Sequence, residues 1–142
     1  MLLKVKTLVL LVLLSGISLN LSAQENPFIG SWRNPKTSTV NKYELAGDGN
    51  MKVTVTNSGG AHSRVEIYDG KPYPVEGEEG TDAVSVSRLD AHTIQGENWY
   101  QGKPRARFTV TVSMDGNTLT KTIKGTKANG EPYEAVRISH KE

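Results

Sequence analysis

Apolar and polar residues alternate along much of this chain, and that period of two is its strongest structural constraint. The clearest case runs from Arg105 to Met114, where every second residue from Ala106 onward is apolar. Successive side chains of a β-strand point to opposite faces, so the segment is predicted as an antiparallel strand buried on one side. The turn signal Asp115-Gly116 follows, and Asn117 to Thr126 alternates again, which predicts a β-hairpin.

Similar segments, separated by turn signals such as Asp69-Gly70 and Asn129-Gly130, recur from Phe28 to Ser139. No window has the spacing of an amphipathic helix. The chain is therefore predicted to be all-β, with eight or nine short strands joined by short turns. A single up-and-down antiparallel β-barrel is the first choice, because it removes exposed sheet edges, and a β-sandwich is the second.

Some faces of these strands are harder to assign. Val65 and Ile67 share one face of their segment, and Lys121 falls between Leu119 and Ile123 on an apolar face. A charge inside a barrel needs a partner or a ligand, whereas a strand end, a bulge or a long aliphatic stem places it in water. Arg88 raises the same question beside Val84 and Val86. In the last strand, Tyr133, Ala135 and Arg137 oppose Glu134, Val136 and Ile138, and either set could face inward.

Residues 1–23 differ in kind from the rest. Lys4 and Lys6 precede the apolar run Leu8 to Leu14, and Leu21-Ser22-Ala23 offers a small residue for cleavage. This order is typical of a secretory signal peptide, and the polar residues of its second half argue against a membrane anchor. We therefore expect export to the periplasm or the medium, no stable membrane insertion after cleavage, and one mature domain over residues 24–142.

Charge and cysteine content exclude several functions. The 119 residues after the leader carry 15 basic and 15 acidic side chains, so the net charge of +2 belongs to the leader. A neutral mature domain is not expected to bind nucleic acid. Without cysteine, the chain has no disulfide, no thiol catalysis and no Cys-ligated zinc.

Gly30-Ser31-Trp32, at the start of the first predicted strand, resembles the G-x-W signature of lipocalins and related calycin barrels. The resemblance implies that Gly30 lets the backbone turn and that Trp32 closes one end of the barrel. It also implies a basic residue of the last strand over the indole, and Arg137 is the matching position. Such a stack contributes ~0.5–2 kcal/mol.

Several longer stretches are similar to small exported bacterial lipocalin-like (calycin-type) β-barrel proteins of unknown function. They are Trp32 to Ser38, Asp69 to Val75, Arg88-Leu89-Asp90 with Thr93, and Val112 to Thr120. This resemblance implies the fold and supplies no activity. The larger lipocalin motifs beyond G-x-W and the terminal arginine are not evident.

No pattern of catalytic or metal-ligating residues is found. His62, His92 and His140 do not have metal-site spacing on one element, and there is neither a nucleophile elbow nor a phosphate loop. Acidic residues crowd the segment Glu76 to Thr81, which is interpreted as a solvated loop. We therefore predict neither a metal, nor a cofactor, nor an enzymatic activity.

The aromatic residues indicate a different function. An eight-stranded barrel is either just filled by side chains or holds one small ligand. If it holds one, the predicted lining residues are Tyr43, Trp99, Tyr100, Phe108 and Lys121. The leading hypothesis is thus an exported barrel that binds or sequesters a small, partly apolar ligand. The alternatives are a filled barrel that acts through its loops as a protein-interaction or inhibitor module, with Glu76 to Thr81 as the contact, and a hydrolase or isomerase that uses scattered carboxylates.

Overall fold

The computed structural model describes residues 25–142, which form one antiparallel sheet of ten strands and contain no helix. In chain order the strands are β1 (Gly30–Arg33), β2 (Val40–Leu45), β3 (Met51–Asn57), β4 (Gly60–Glu66), β5 (Tyr73–Pro74), β6 (Ala83–Asp90), β7 (Thr93–Tyr100), β8 (Lys103–Val112), β9 (Thr118–Thr126) and β10 (Pro132–Lys141). The all-β prediction is confirmed. The strands number ten because the proline-containing segment contributes β5, which has only two residues.

The strands pair mainly with their neighbours in sequence, in the order β4-β3-β2-β1-β10-β9-β8-β7-β6-β5. The predicted hairpin is present as β8 and β9, paired from Val112 with Leu119 to Ala106 with Gly125. The pairing of β1 with β10 joins the two ends of the chain and curls the sheet into an up-and-down, calycin-type barrel.

The sheet is not hydrogen-bonded all the way round in the described residues. The strands β4 and β5 end the pairing order, and we call the gap between them the seam. A void of about 20 Å³ lies there between β4 and the segment Tyr73 to Val75, which is room for a single water molecule. The barrel is therefore not closed by a hydrogen-bonded ladder between β4 and β5 in the described residues.

One face of the sheet lines the interior. Its fully or nearly buried members include Trp32, Met51, Val53, Val84, Val86, Ile94, Phe108, Val110, Val112, Leu119 and Ile123. They fall at every second position of their strands, and the residues between them face outward. Thus the period of two seen in the sequence separates the core from the outer surface.

The two ends of the barrel differ. Phe28, Trp32 and Met51 close one end and have no exposed surface. At the other end, which we call the mouth, the inward-facing residues keep partial or large exposure: His62, Asn98, Tyr133, Ala135 and Arg137. The barrel thus has a closed apolar base and a more exposed opposite end.

One predicted segment falls outside the described residues. The predicted signal peptide, residues 1–23, lies outside the residues that the structure describes. Within residues 25–142, no helix has the length and apolarity that crossing a membrane requires.

Candidate functional site

Trp32 fills the closed end of the barrel. Its ring is completely buried, and its Nε1–H donates a hydrogen bond of 2.8 Å to the carbonyl of Phe28. The Phe28 ring in turn lies 6.1 Å from that of Tyr43, centroid to centroid. These contacts have the form that the G-x-W resemblance implies: the strand enters beneath the barrel and the indole fills its base.

The cation over Trp32 is Lys141, and the predicted Arg137 is not in that position. Trp32 pairs with Lys141 in the β1–β10 ladder, and the Lys141 ammonium lies 5.5 Å from the centre of the indole. Arg137 lies four residues earlier on the same face, which places it opposite Lys121 in the middle of the β9–β10 ladder. The prediction that the last strand supplies the cation was correct. The β1–β10 register, however, places Lys141, the last inward-facing residue of β10, over the indole.

Gly30 makes room for this cation. Its φ is +131°, and a Cβ there would lie 3.0 Å from the Cε of Lys141. A side chain at this position would be strained and would push the lysine stem away. The predicted role of Gly30 in backbone turning is therefore joined by a second one, the passage of Lys141 across the barrel base.

Three of the five predicted lining residues face the interior. Tyr43, Phe108 and Lys121 belong to the same sheet face as Val53 and Ile123. Burial, followed by the charge of Glu66, raises the pKa of Tyr43 well above its usual range, so its hydroxyl stays neutral. Lys121 reaches across the wall, and its Nζ lies 4.5 Å from the centre of the Phe108 ring.

Trp99 and Tyr100 do not line the interior. Trp99 pairs with Ala83, and its Nε1–H donates to the Ser85 hydroxyl at 3.0 Å, on the face opposite to Val84 and Val86. Tyr100 ends strand β7, is 37% exposed and lies beside the guanidinium of Arg105. Because side chains alternate along β7, a residue two positions from Glu97 shares its outward direction. Apolar character alone therefore assigned Trp99 to the wrong face.

The inward side of β4 carries charge, which sequence reasoning missed. Arg64 and Glu66 point inward, whereas Val65 is 51% exposed on the outside. Arg64 contacts Glu66 at 3.0 Å and Glu78 at 2.7 Å, and the Tyr68 hydroxyl donates to Glu66 at 2.8 Å. We call Arg64, Glu66, Tyr68 and Glu78 the seam cluster, because Glu78 belongs to the loop that follows β5.

The charges of the seam cluster stabilise one another. Burial by itself would lower the pKa of Arg64, but Glu66 and Glu78 outweigh it and the pKa is raised. Burial and the adjacent Glu66 raise the pKa of Tyr68, so its hydroxyl remains a donor. The Nε of Arg64 is buried without a hydrogen-bond partner among the described residues. The segment Glu76 to Thr81, predicted to be a solvated loop, is thus attached to the barrel through Glu78.

Arg88 and Lys121, the two charged residues that the sequence places on apolar strand faces, have different surroundings. Arg88 reaches the closed end, where it donates to Asn26 and to the carbonyls of Asp90 and Ala91 and covers the Phe28 ring. Lys121 stays inside the barrel. Within residues 25–142, no group of three or more His, Asp or Glu side chains is arranged to hold a metal ion.

A second concave feature lies on the outer surface. A polar groove of about 330 Å³ runs over β6, β7 and β8, lined by Gly70, Ser85, Ser87, Gln95, Gly96, Glu97, Arg107, Phe108 and Thr109. Glu97 and Arg107 face each other across it at 3.5 Å. Ser85, whose hydroxyl accepts the hydrogen bond of Trp99, lines this groove, and the sheet separates the groove from the interior.

The fold places the chain among calycin-type β-barrels. It is similar to a fatty acid binding protein from Schistosoma mansoni in complex with arachidonic acid, with a TM-score of 0.67 and 11% identity over 82% of this chain and 96% of that chain. It is also similar to two variants of the fluorescent protein UnaG. Their TM-scores are 0.62 and 0.57, at 12% and 14% identity, over 82% and 80% of this chain and 96% and 95% of theirs.

Neither a protein-family model nor a curated protein matches the sequence. The similarity is therefore one of fold. The proteins that share this fold include one that is described as binding a fatty acid.

Proposed function

We propose that the chain binds a small, partly apolar ligand inside the barrel. The ligand would enter through the mouth. The observation that carries the proposal is the difference between the two ends: an apolar base closed by Trp32, and a mouth where inward-facing residues remain exposed. The fatty acid binding protein with the same fold supports a ligand of this class.

The division of the interior indicates how such a ligand would be oriented. Val53, Phe108, Val110 and Ile123 provide apolar surface, while Lys121 and Arg137 are opposite each other on β9 and β10. Apolar burial supplies most of the affinity in sites of this kind, and a few polar groups fix the orientation. We infer that the apolar part of the ligand packs against these apolar side chains and that its polar part lies near Lys121 and Arg137.

Titration with a fluorescent long-chain fatty acid and with its neutral alcohol tests this proposal. The variant Trp99→Phe simplifies the readout, because Trp32 is then the only tryptophan and it is at the barrel base. Saturable binding with a change in Trp32 emission is expected. The absence of any response to either probe would contradict the proposal.

A matched pair of substitutions locates the site. Val55 faces inward beside Asn41, whereas Val136 is 58% exposed on the outer face of β10. Val55→Phe adds bulk to the interior and is expected to weaken binding at least tenfold, or about 1.4 kcal/mol. Val136→Phe is expected to leave the affinity unchanged. Equal effects of the two would place the bound probe elsewhere.

A second candidate function is interaction through the outer surface of a filled barrel, and the groove over β6 to β8 favours it. In that case the exposed pair Glu97 and Arg107 would contact a protein partner. Reversing both charges would abolish copurification of such a partner and leave fatty acid binding intact. Charge reversal without effect on copurification would exclude this groove as the contact. A hydrolase or isomerase using scattered carboxylates is the third and least supported alternative.

We also propose that residues 1–23 are removed during export to the periplasm or the medium. The charge and hydropathy pattern of the leader supports this. N-terminal sequencing of the protein recovered from a secreting host is expected to begin at Gln24. Recovery of an intact N-terminus in the membrane fraction would contradict cleavage.

A further inference from the structure

Lys121 is an amine inside an apolar wall. It lies in the middle of β9, and its inward neighbours on that strand, Leu119 and Ile123, are 3% and 6% exposed. On the adjoining strand it pairs with Val110, and its Nζ lies over the Phe108 ring. Among residues 25–142, no carboxylate lies within 4.0 Å of this ammonium group, although the interior contains two.

Those two carboxylates are already paired with another cation. Glu66 and Glu78 both contact Arg64, and Glu66 also accepts the hydrogen bond of Tyr68. The groups that face Lys121 are therefore Arg64, Glu66 and Glu78 at the seam and Arg137 on β10. Two cations surround the amine, and the anions nearest to it are engaged by one of those cations.

This environment favours the neutral amine. Burial, followed by the charge of Arg64, lowers the pKa of Lys121 from 10.5 to about 8, although Glu78 and Glu66 partly oppose the shift. At pH 7 the neutral fraction thereby rises from ~0.03% to ~10%. Desolvation in an apolar pocket next to another cation is one of the ways in which a lysine becomes nucleophilic.

We propose that the Nζ of Lys121 captures the aldehyde group of a small apolar ligand as an imine. The inference rests on the proposed function, because it requires the ligand to enter the barrel. The amine lone pair attacks the carbonyl carbon, a C–N bond forms, and a proton passes from nitrogen to oxygen to give a carbinolamine. Loss of the hydroxyl group with a second nitrogen proton leaves a C=N bond and one water molecule, which departs through the mouth. Hydrolysis reverses the reaction and releases the ligand.

The apolar side chains around Lys121 select the ligand. A hydrophobic aldehyde can place its chain against Phe108, Val110 and Ile123 and bring its carbonyl to Nζ. A small hydrophilic aldehyde gains no such burial and reacts as it does with any surface amine. The expected ligand is therefore an aliphatic or aromatic aldehyde with an apolar body.

Reductive trapping tests the proposal. The full protein is incubated with octanal and sodium cyanoborohydride, and the modified lysines are identified by peptide mass mapping. Lys124 is an internal control, because it lies three residues further along β9, faces outward and contacts Glu134 at 3.9 Å. Lys121 is expected to be modified at least about tenfold faster than Lys124 at pH 7, because much more of it is neutral.

The pH profile and a conservative variant provide further readouts. The rate at Lys121 is expected to rise up to about pH 8 and then level off, as the amine loses its proton. Lys121→Arg keeps the charge, removes the nucleophile and should abolish the fast adduct. Saturating octan-1-ol should protect Lys121 and not Lys124. Equal rates at the two lysines without protection would overturn the proposal.

Octan-1-ol also separates this inference from the proposed function, since it can displace the fluorescent fatty acid but cannot form an imine. Displacement by octan-1-ol without a Lys121 adduct would refute covalent capture and leave the binding function standing. Failure of the alcohol and of the fluorescent fatty acid to bind, together with no adduct, would refute both.

Discussion

Lys121 is the residue whose charge is least compatible with its surroundings. In the unfolded chain its pKa is that of an ordinary lysine, whereas in the folded chain burial and Arg64 lower it to about 8. A group whose pKa is lower when folded binds fewer protons in the native state, so it destabilises the fold wherever both states are protonated. This penalty is complete below about pH 8 and disappears as the pH rises through 10.5.

The variant Lys121→Met should therefore stabilise the protein at neutral pH. The methionine keeps the unbranched apolar stem and removes the charge. We expect the gain in unfolding free energy, measured by urea denaturation, to be larger at pH 7 than at pH 10. Lys124→Met, on the outer face of the same strand, serves as the control, because it removes a lysine charge from the surface and leaves the interior unchanged. A loss of stability at pH 7 would contradict this account of Lys121.

Trp32 shows how a single side chain can close a barrel. It has no exposed surface and also satisfies the carbonyl of Phe28. Trp32→Ala is expected to cost about 3–5 kcal/mol of unfolding free energy in denaturant titrations. Trp99→Ala, on the outer face, should cost clearly less. Comparable losses for the two tryptophans would show that the base is not packed as described.

At the scale of elements, β4 is the strand that the sequence describes least well. Its apolar residue Val65 faces outward, and its inward face carries Arg64 and Glu66. This arrangement holds because the ladder with β3 places Val53 opposite Arg64, and a shift of one residue would reverse every side chain. The charges that this register buries are matched within the seam cluster.

Breaking the seam cluster on one side should be costly. Arg64→Met leaves Glu66, which is only 7% exposed, without its cation, and an unpaired buried charge of this kind costs about 3–5 kcal/mol. The double variant Arg64→Met with Glu66→Gln should recover part of the loss, which a double-mutant cycle measures.

A surface ion pair provides the comparison for the cost of Arg64→Met. Arg33 contacts Glu142 on the surface, where Arg33→Met should cost less than about 1 kcal/mol. Arg64→Met and Arg33→Met with the same small effect would show that the seam cluster is not a buried network.

A glycine in β7 permits the packing of Phe108. A Cβ at Gly96 would lie closer than 3.0 Å to the Phe108 ring and to the backbone oxygen of Ser85. Because a backbone atom is involved, Gly96→Ala should destabilise the protein by about 1–3 kcal/mol in thermal or urea unfolding. Gly59→Ala, in the exposed turn after β3, should be much milder. If Gly96→Ala left the free energy of unfolding unchanged, β6 and β7 would have to move apart easily at this point.

Hydrophobic alternation was sufficient to predict most strands and the β8–β9 hairpin, because these strands bury one face and expose the other. It could not predict which face of β4 points inward, since the partners of Arg64 come from separate segments and only the folded register brings Glu78 to it. The same limit explains Trp99 and Lys141. Their positions depend on the register of β7 against β6 and on the pairing of β10 with β1, neither of which hydropathy reports.

At the scale of the whole molecule, strand order predicts where the barrel opens first. The strands β8 and β9 are paired on both sides, whereas β4 and β5 are each paired on one side only. Backbone amides in β8 and β9 should therefore exchange with solvent most slowly in hydrogen–deuterium exchange, and those of β4 and β5 fastest. Slow, uniform exchange around the whole barrel would contradict an open seam.

The seam also bears on the size of guest that the barrel can admit. Separating β4 from β5 breaks no ladder hydrogen bond among the described residues, although it parts Arg64 from Glu78. In a barrel whose strands are hydrogen-bonded all the way round, by contrast, any increase in diameter would break a row of backbone hydrogen bonds. Expansion to fit a bulkier molecule should accordingly be inexpensive here, so discrimination among guests would depend on their chemistry at Lys121 more than on their width.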